Sequence, residues 1–416
     1  MTAYTPDYKV LVNSVELTNI TVADITITSG RTDIYQQPVA GYCQLSLLNF
    51  NNSSYDFTVG TSITVEVTNS VGTFVPIFGG TISDFTISVN SAGSLGFTTV
   101  ATITALGALS KLPKIIDPGV LSQDFDGDQI YTLLSGYLLG QWNDVPAAQT
   151  WATYDPTETW ATAFNIGLGE IDQPGDYELI ARSSSNTDLY SLCTAIANSA
   201  FGVIYEDANG NIGYADQTHR QDYLTANGYT ELDANHANGL GLSVTTRAGD
   251  LRNQFTINYN NNGSSTYTAS DSISQSNYGV YAEQYTSRIK HTADAEALAD
   301  RYIELRANPY PKFQSITFVL GNPEIDNADR DALINIFLGQ PVWIQNLPPN
   351  IDQGSFQGYI EGWTFRASLN NLTVTFNASP VNFSQVAVKW EQVNAAETWN
   401  TLNPALTWLD AIGVVA

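Results

Sequence analysis

Three aspartates at alternate positions, Asp124, Asp126 and Asp128 in DFDGDQ, come nearest to a chemical site in this sequence. Alternating carboxylates can converge on one hard cation such as calcium. The surroundings depart from a calcium loop, because Gly127 comes two positions too early and no Glu closes the loop. These Asp residues are expected to cap the N-terminus of a helix and to pair with its dipole. The histidines, His219, His236 and His291, stand apart and form no H-E-x-x-H pair. Neither a G-x-S-x-G nucleophile turn nor a G-x-x-x-x-G-K phosphate loop occurs. With 41 acidic residues, carboxylate pairs at glycosidase separation are bound to exist and single out nothing. The expectation is a chain with no catalytic residue, no metal and no cofactor.

Tryptophans stand out instead. WNDVPAAQTWATYDPTETW at 142–160 and WEQVNAAETWNTLNPALTW at 390–408 are two versions of one sentence. Each places its indoles at a nine-residue step: Trp142, Trp151 and Trp160, then Trp390, Trp399 and Trp408. The unit reads W-x-x-Φ-x-P-x-x-T, with Val145, Tyr154 and Leu402 at Φ and Pro156 and Pro404 at P. Thr before Trp can cap a single helical turn and Pro ends it. So short a unit has no core of its own and must bury its indoles against something else. Its own fold, a neighbouring subunit and a stacked sugar are the three candidates, with packing expected first.

Composition narrows the setting. A chain of 416 residues suggests two to four domains. The net charge is −25, yet only 14% of residues are charged, so Asn, Thr, Ser, Gln and Tyr must cover much of the surface. Such an acidic chain is unsuited to nucleic-acid phosphates and to anionic membranes. No apolar run approaches the roughly 18 residues of a membrane span, and no signal peptide follows Met1. Cys43 alternates with Leu45 and Leu47, and Cys193 shares a helical face with Leu189 and Ile196, so both are expected as small buried apolar residues.

The elements that must position these side chains are mostly strands. YKVLVNSVEL, ADITITS, YCQLSLLNF, SITVEV, FTISV and FTTVATITAL alternate between Asn, Gly and Ser clusters, the pattern of an antiparallel sandwich or barrel. Part of this recurs: GTSITVEV (60–67) matches GQPVWIQN (339–346), and FGGTISDFTI (78–87) matches FQGYIEGWTF (356–365). In both copies the apolar phase slips, from Phe78, Gly80 and Ile82 to Phe85 and Ile87, and from Phe356, Gly358 and Ile360 to Trp363 and Phe365. Such a slip is expected of a β-bulge or barrel corner. One Trp ladder follows each copy, so the sequence predicts a duplicated unit.

Between the copies the pattern predicts a short helix near 126–138 and an amphipathic helix at 188–202 capped by Asn186 or Thr187. A hairpin turning at Asn209-Gly210 comes next. Strands in LRNQFTINYNNN and YGVYAEQYT precede a helix capped by Thr292 and stopped at Pro309, and a last helix lies near 328–337. The expected fold is mainly β with an α+β insert. Its parts are a first β-barrel (1–110), a linker with helix and first Trp ladder (111–180), an α+β helix-hairpin domain (181–245), a second β-barrel with helices (246–380) and the C-terminal ladder (381–416).

The order of these pieces resembles a known family. A barrel with the F-x-G-x-I strand precedes GVIYEDANGNIGY, then RAGDLRNQFTINY at 247–259, Tyr278-Gly279, the TADAEALADRY helix and a second barrel. This is similar to the baseplate or tail-tip hub proteins of long-tailed bacteriophages, and the ladders look like those in minor tail proteins of actinobacteriophages. The resemblance implies a non-enzymatic homotrimer in the virion, whose six barrels form a pseudo-sixfold ring through which DNA passes. Its implied partners are the distal tail or tube protein, the tape-measure protein, and receptor-binding or other minor tail proteins. On that reading the ladders are straps, and the acidic balance keeps DNA from sticking. Two alternatives stay open: a cell-wall glycan-binding protein using exposed Trp and Tyr, and a β-rich polysaccharide-degrading enzyme.

Overall fold

The computed structural model describes residues 4–18, 21–49, 54–55, 57–93, 96–139, 168–237, 242–260, 264–349, 351, 354–368 and 370–383. Period-two alternation builds the first part of the chain. Strands β1 (Tyr8–Val12), β2 (Thr21–Gly30), β3 (Tyr42–Asn49), β4 (Ser62–Thr68), β5 (Phe74–Gly93) and β6 (Gly96–Gly107) pair antiparallel in the order β1-β4-β5-β6-β3-β2. Their inward residues, among them Val10, Ile25, Ile27, Leu45, Ile63, Val65 and Ile103, are buried. Cys43 lies with them, buried as a free thiol.

The chain then forms α1 (Asp126–Leu134), β7 (Leu168–Ile171), α2 (Leu189–Ser199), the hairpin β8 (Val203–Glu206) and β9 (Ile212–Ala215), and α3 (His219–Asn227). Next come β10 (Thr230–Asp233) and β11 (Ser243–Thr245). A separate three-stranded sheet follows, from β12 (Gln254–Tyr259), β13 (Ser265–Ser270) and β14 (Ala282–Thr286), with α4 (Ser272–Tyr278) before its last strand. Helices α1, α2 and α5 (Thr292–Arg306) share one apolar core with β12: Ile130, Leu133, Cys193, Ile196, Phe255 and Leu298 meet there.

The helix ends differ in detail from expectation. Asp188, not Asn186 or Thr187, caps α2, its carboxylate accepting from Ser191 N. Thr292 is the first residue of α5 and the extended residue His291 precedes it, without a side-chain cap. At α1, Asp126 and Asp128 sit in the first turn, where the helix dipole favours acids, but the expected capping by these aspartates is not found: Phe125 holds the cap position and no side chain caps it.

The rest of the chain rebuilds the first sheet. It supplies β15 (Lys312–Val319), α6 (Asn327–Ile334), β16 (Pro341–Gln345), β17 (Phe356–Ser368) and β18 (Asn371–Pro380). The order β10-β16-β17-β18-β15-β11 repeats β1-β4-β5-β6-β3-β2 position by position. The register repeats too: Ile63 faces Gly80 as Val342 faces Gly358, and Ile82 faces Ala105 as Ile360 faces Ala378. One difference is direction, since β1 runs antiparallel to β4 and β10 parallel to β16.

The two units are open sheets and not the closed barrels expected. After its bulge, β17 takes β2 of the first unit as a neighbour, pairing Gly362 with Gly30 and Phe365 with Ile27. That flank is where the second unit would have to curl onto itself, so the two units run together into one 13-stranded sheet. A single apolar core, with Val65, Ile103, Phe318, Phe356 and Phe376, underlies both.

Candidate functional site

The phase slip legible in the sequence is a bulge at the same place in both units. Pairing of β5 with β6 skips from Ile82 to Asp84, and pairing of β17 with β18 skips from Ile360 to Gly362. Each bulge is held by the same reciprocal hydrogen bonds. Gly60 N donates to Ile82 O (2.8 Å) and Ile82 N to Thr61 O (2.9 Å); Gly339 N donates to Ile360 O (2.7 Å) and Ile360 N to Gln340 O (3.0 Å). Gly60 and Gly339 adopt φ of +90° and +83°, a region that favours glycine. Two residues before each bulge, a β-carbon on Gly80 or Gly358 would lie 2.4 Å from the carbonyl oxygen of Leu106 or Ser379.

The extra residue differs between copies. In the first unit it is Ser83, whose hydroxyl donates to Thr104 O (3.1 Å). In the second it is Glu361, and around it the molecule is tied together. Arg31, just after β2, donates through Nε to Glu361 Oε2 (2.6 Å). Arg220 on α3 forks onto both carboxylate oxygens (2.8 and 3.1 Å), and Ser379 Oγ donates at 2.5 Å. Burial alone would raise the Glu361 pKa, but Arg220 and Arg31 outweigh it and hold the value at about 2. The carboxylate thus joins the first sheet, α3 and the second sheet at their common seam.

Glu206 at the end of β8 plays the matching part for the first unit. Its carboxylate accepts from Leu109 N (2.7 Å) and from Gly41 N, against the ends of β3 and β6. Burial pushes its pKa up to about 7, the two backbone donors lowering it only in part.

The residues singled out for chemistry do not assemble. Asp126 is fully buried, its oxygens taken by Tyr177 N (2.8 Å) and the Tyr214 hydroxyl, whereas Asp124 is exposed. His219 Nδ1 pairs with Asp172 (2.7 Å) in a buried contact, and His291 pairs with Glu178 nearer the surface. Among the described residues no group of three His, Cys, Asp or Glu is placed to hold a metal, and no helix is long and apolar enough to cross a membrane. Sequence reasoning missed Asp172, Asp176 and Asp216 around Asp126 and His219. In this acidic pocket burial, reinforced by the neighbouring carboxylates, raises the pKa values of Asp176 and Asp216. Trp142, Trp151, Trp160, Trp390, Trp399 and Trp408 all lie outside the described residues.

The two units also differ in what covers them. In β17 the segment after the bulge is covered by β2, and Trp363, Phe365 and Ala367 are buried. In β5 the corresponding flank has no strand among the described residues, and Ile87 and Val89 are 47% and 61% exposed.

Known structures share the overall fold. The 43 kDa tail protein of prophage MuSo2 from Shewanella oneidensis matches over 92% of this chain and 100% of its own, with a TM-score of 0.54 at 11% identity. A tail protein from Neisseria meningitidis MC58 matches with a TM-score of 0.58 at 12% identity, covering 92% of this chain and 98% of that one. Prophage tail protein gp18 from Listeria monocytogenes EGD-e gives 0.50 at 10% identity, over 90% and 95%. The fold is that of phage tail proteins. No protein-family model and no curated protein matches the sequence.

Proposed function

We propose that the chain is a structural, non-enzymatic hub of a bacteriophage tail tip, assembling as a homotrimer whose six sheet units make a pseudo-sixfold ring. The observation that carries this reading is the duplication: one register, one bulge and one pair of locking hydrogen bonds, written twice in a single continuous sheet. A threefold ring of two-unit chains presents six like surfaces, which suits docking on a sixfold tube. The likeness in fold to phage tail proteins over nine-tenths of the chain supports a virion role. The ring would join the tail tube and tape-measure protein above to receptor-binding and other minor tail proteins below. DNA would pass through its centre, and a net charge of −25 favours passage without adhesion. The first Trp ladder would fix the domain between the two sheet units, and the second would reach over a neighbouring protomer.

Gold-labelled antibody against the chain, applied to phage particles that carry it, tests the assignment. Label confined to the distal end of the tail is the expected result. Label spread along the tail, or absent from particles, overturns it.

A further inference from the structure

We infer that the exposed flank of β5 after its bulge, residues Asp84–Val89, pairs with the outer edge of β11 from a second copy of this chain. The inference rests on the trimer reading above and gives that ring its joint. Each unit has an equivalent neighbour position, filled in one unit and open in the other. Inside the chain, β17 after its bulge is covered by β2. The counterpart of β17 is β5, whose flank pairs with no strand among the described residues, though the Phe57 ring packs on Phe85 (5.3 Å between centroids); the counterpart of β2 is β11, which among the described residues pairs with β15 alone. One chain therefore carries both halves of a joint it does not make with itself.

The internal joint dictates the register of the external one. In the first unit a row of partners runs Ile82, Ala105, Cys43, Ile27, and in the second it runs Ile360, Ala378, Phe313, Val244. Val244 is thus the counterpart of Ile27, and Ile87 that of Phe365. Since Ile27 faces Phe365, Val244 of one copy faces Ile87 of the next. Thr245 then meets Thr86, as Thr28 meets Thr364 with their hydroxyl oxygens 3.3 Å apart. Two residues further, Arg247 meets Asp84, a charge-complementary pair where the internal joint has Gly30 against Gly362.

Physical arguments favour a second copy as the occupant. An open strand edge with apolar side chains is a template for another strand. Ile87 is 47% exposed where its counterpart Phe365, beside β2, is 1% exposed. The two edges are unlike, so the contact is head to tail and ends only when a ring closes. If the joint between chains turns the sheet as the joint within a chain does, every unit in the ring sees the same neighbours.

The test is a disulfide across the joint. Thr86→Cys and Thr245→Cys are introduced together and the protein is treated with diamide, which takes up the two thiol hydrogens as the S–S bond forms. Cys43 and Cys193 are buried and do not compete. A covalent trimer on a non-reducing gel, absent from either single variant, is the expected result. A trimer by mass that yields no covalent trimer overturns this joint and leaves the ring. A monomer at every concentration overturns the ring and the joint together. Covalent chains longer than three overturn closure. As a second readout, Asp84→Arg or Arg247→Asp alone weakens association severalfold and the double reversal restores it; no recovery contradicts the register.

Discussion

Ser83 and Glu361 occupy the same position in the two units of one sheet. Each is the extra residue of a bulge, one past an isoleucine locked by a glycine-led turn. The first makes one hydrogen bond to a neighbouring strand, and the second gathers two arginines from distant parts of the chain. The duplication supplied two equal corners, and only one was given the task of holding the units together.

Glu361→Ala leaves Arg31 and Arg220 as buried charges without their carboxylate. Breaking a buried pair from one side costs about 3–5 kcal/mol. Ser83→Ala removes one neutral hydrogen bond and costs about 1 kcal/mol. Urea unfolding of the two variants measures the contrast, and equal losses would contradict the assignment of the seam.

Glu206 makes stability fall as pH rises from about 4.5 to 7. Its folded pKa of about 7 lies above the ordinary 4.5, so its contribution is complete below pH 4.5 and is lost as pH rises through 7. Asp176 and Asp216, also raised, act in the same direction. Glu361 is opposite: held at about 2, it contributes above pH 4.5 and fails only as pH falls through 2. Melting temperature is therefore expected to decline between pH 5 and 8, and Glu206→Gln should flatten part of that decline. An unchanged slope in the variant would remove Glu206 from the account.

Gly358→Ala and Gly80→Ala should each destabilise the fold by about 1–3 kcal/mol through overpacking. The added methyl meets a backbone carbonyl of the partner strand, which cannot rotate away as a side chain can. Comparable losses by calorimetry at both positions would mark the corners as equivalent in energy as well as in register. A harmless substitution at either would separate them.

Ending the chain before Trp390 tests the C-terminal ladder. A strap between protomers predicts that the trimer dissociates at concentrations at least tenfold higher than for the full chain, read by sedimentation. An unchanged dissociation constant returns the ladder to its own protomer.

The bulge was legible because it changes the parity of apolar residues within ten positions, a local signal: Phe78, Gly80 and Ile82 on one phase, Phe85 and Ile87 on the other. The same locality made Cys43 and Cys193 readable as buried thiols. Openness of the sheets was not legible, since alternation tells which face of a strand is buried and nothing about which strand lies beside it. The expectation of barrels failed there. The anchors of Glu361 were hidden for a related reason: Arg31 and Arg220 are 330 and 141 residues away in sequence. The cap of α2 was misplaced because Asn186, Thr187 and Asp188 are all capping residues, and only the backbone turn at Asp188 selects one. Asp172 and Asp216 escaped notice because, among 41 acidic residues, their spacing does not distinguish a buried carboxylate from an exposed one.

In the proposed assembly each chain is two-sixths of a closed ring. Light scattering of the full chain across a concentration series measures it most directly. The account predicts a plateau at three times the 45.2 kDa chain mass, held on dilution until the ring opens. A plateau at twice that mass, a monomer at every concentration, or a mass that grows without limit would contradict it.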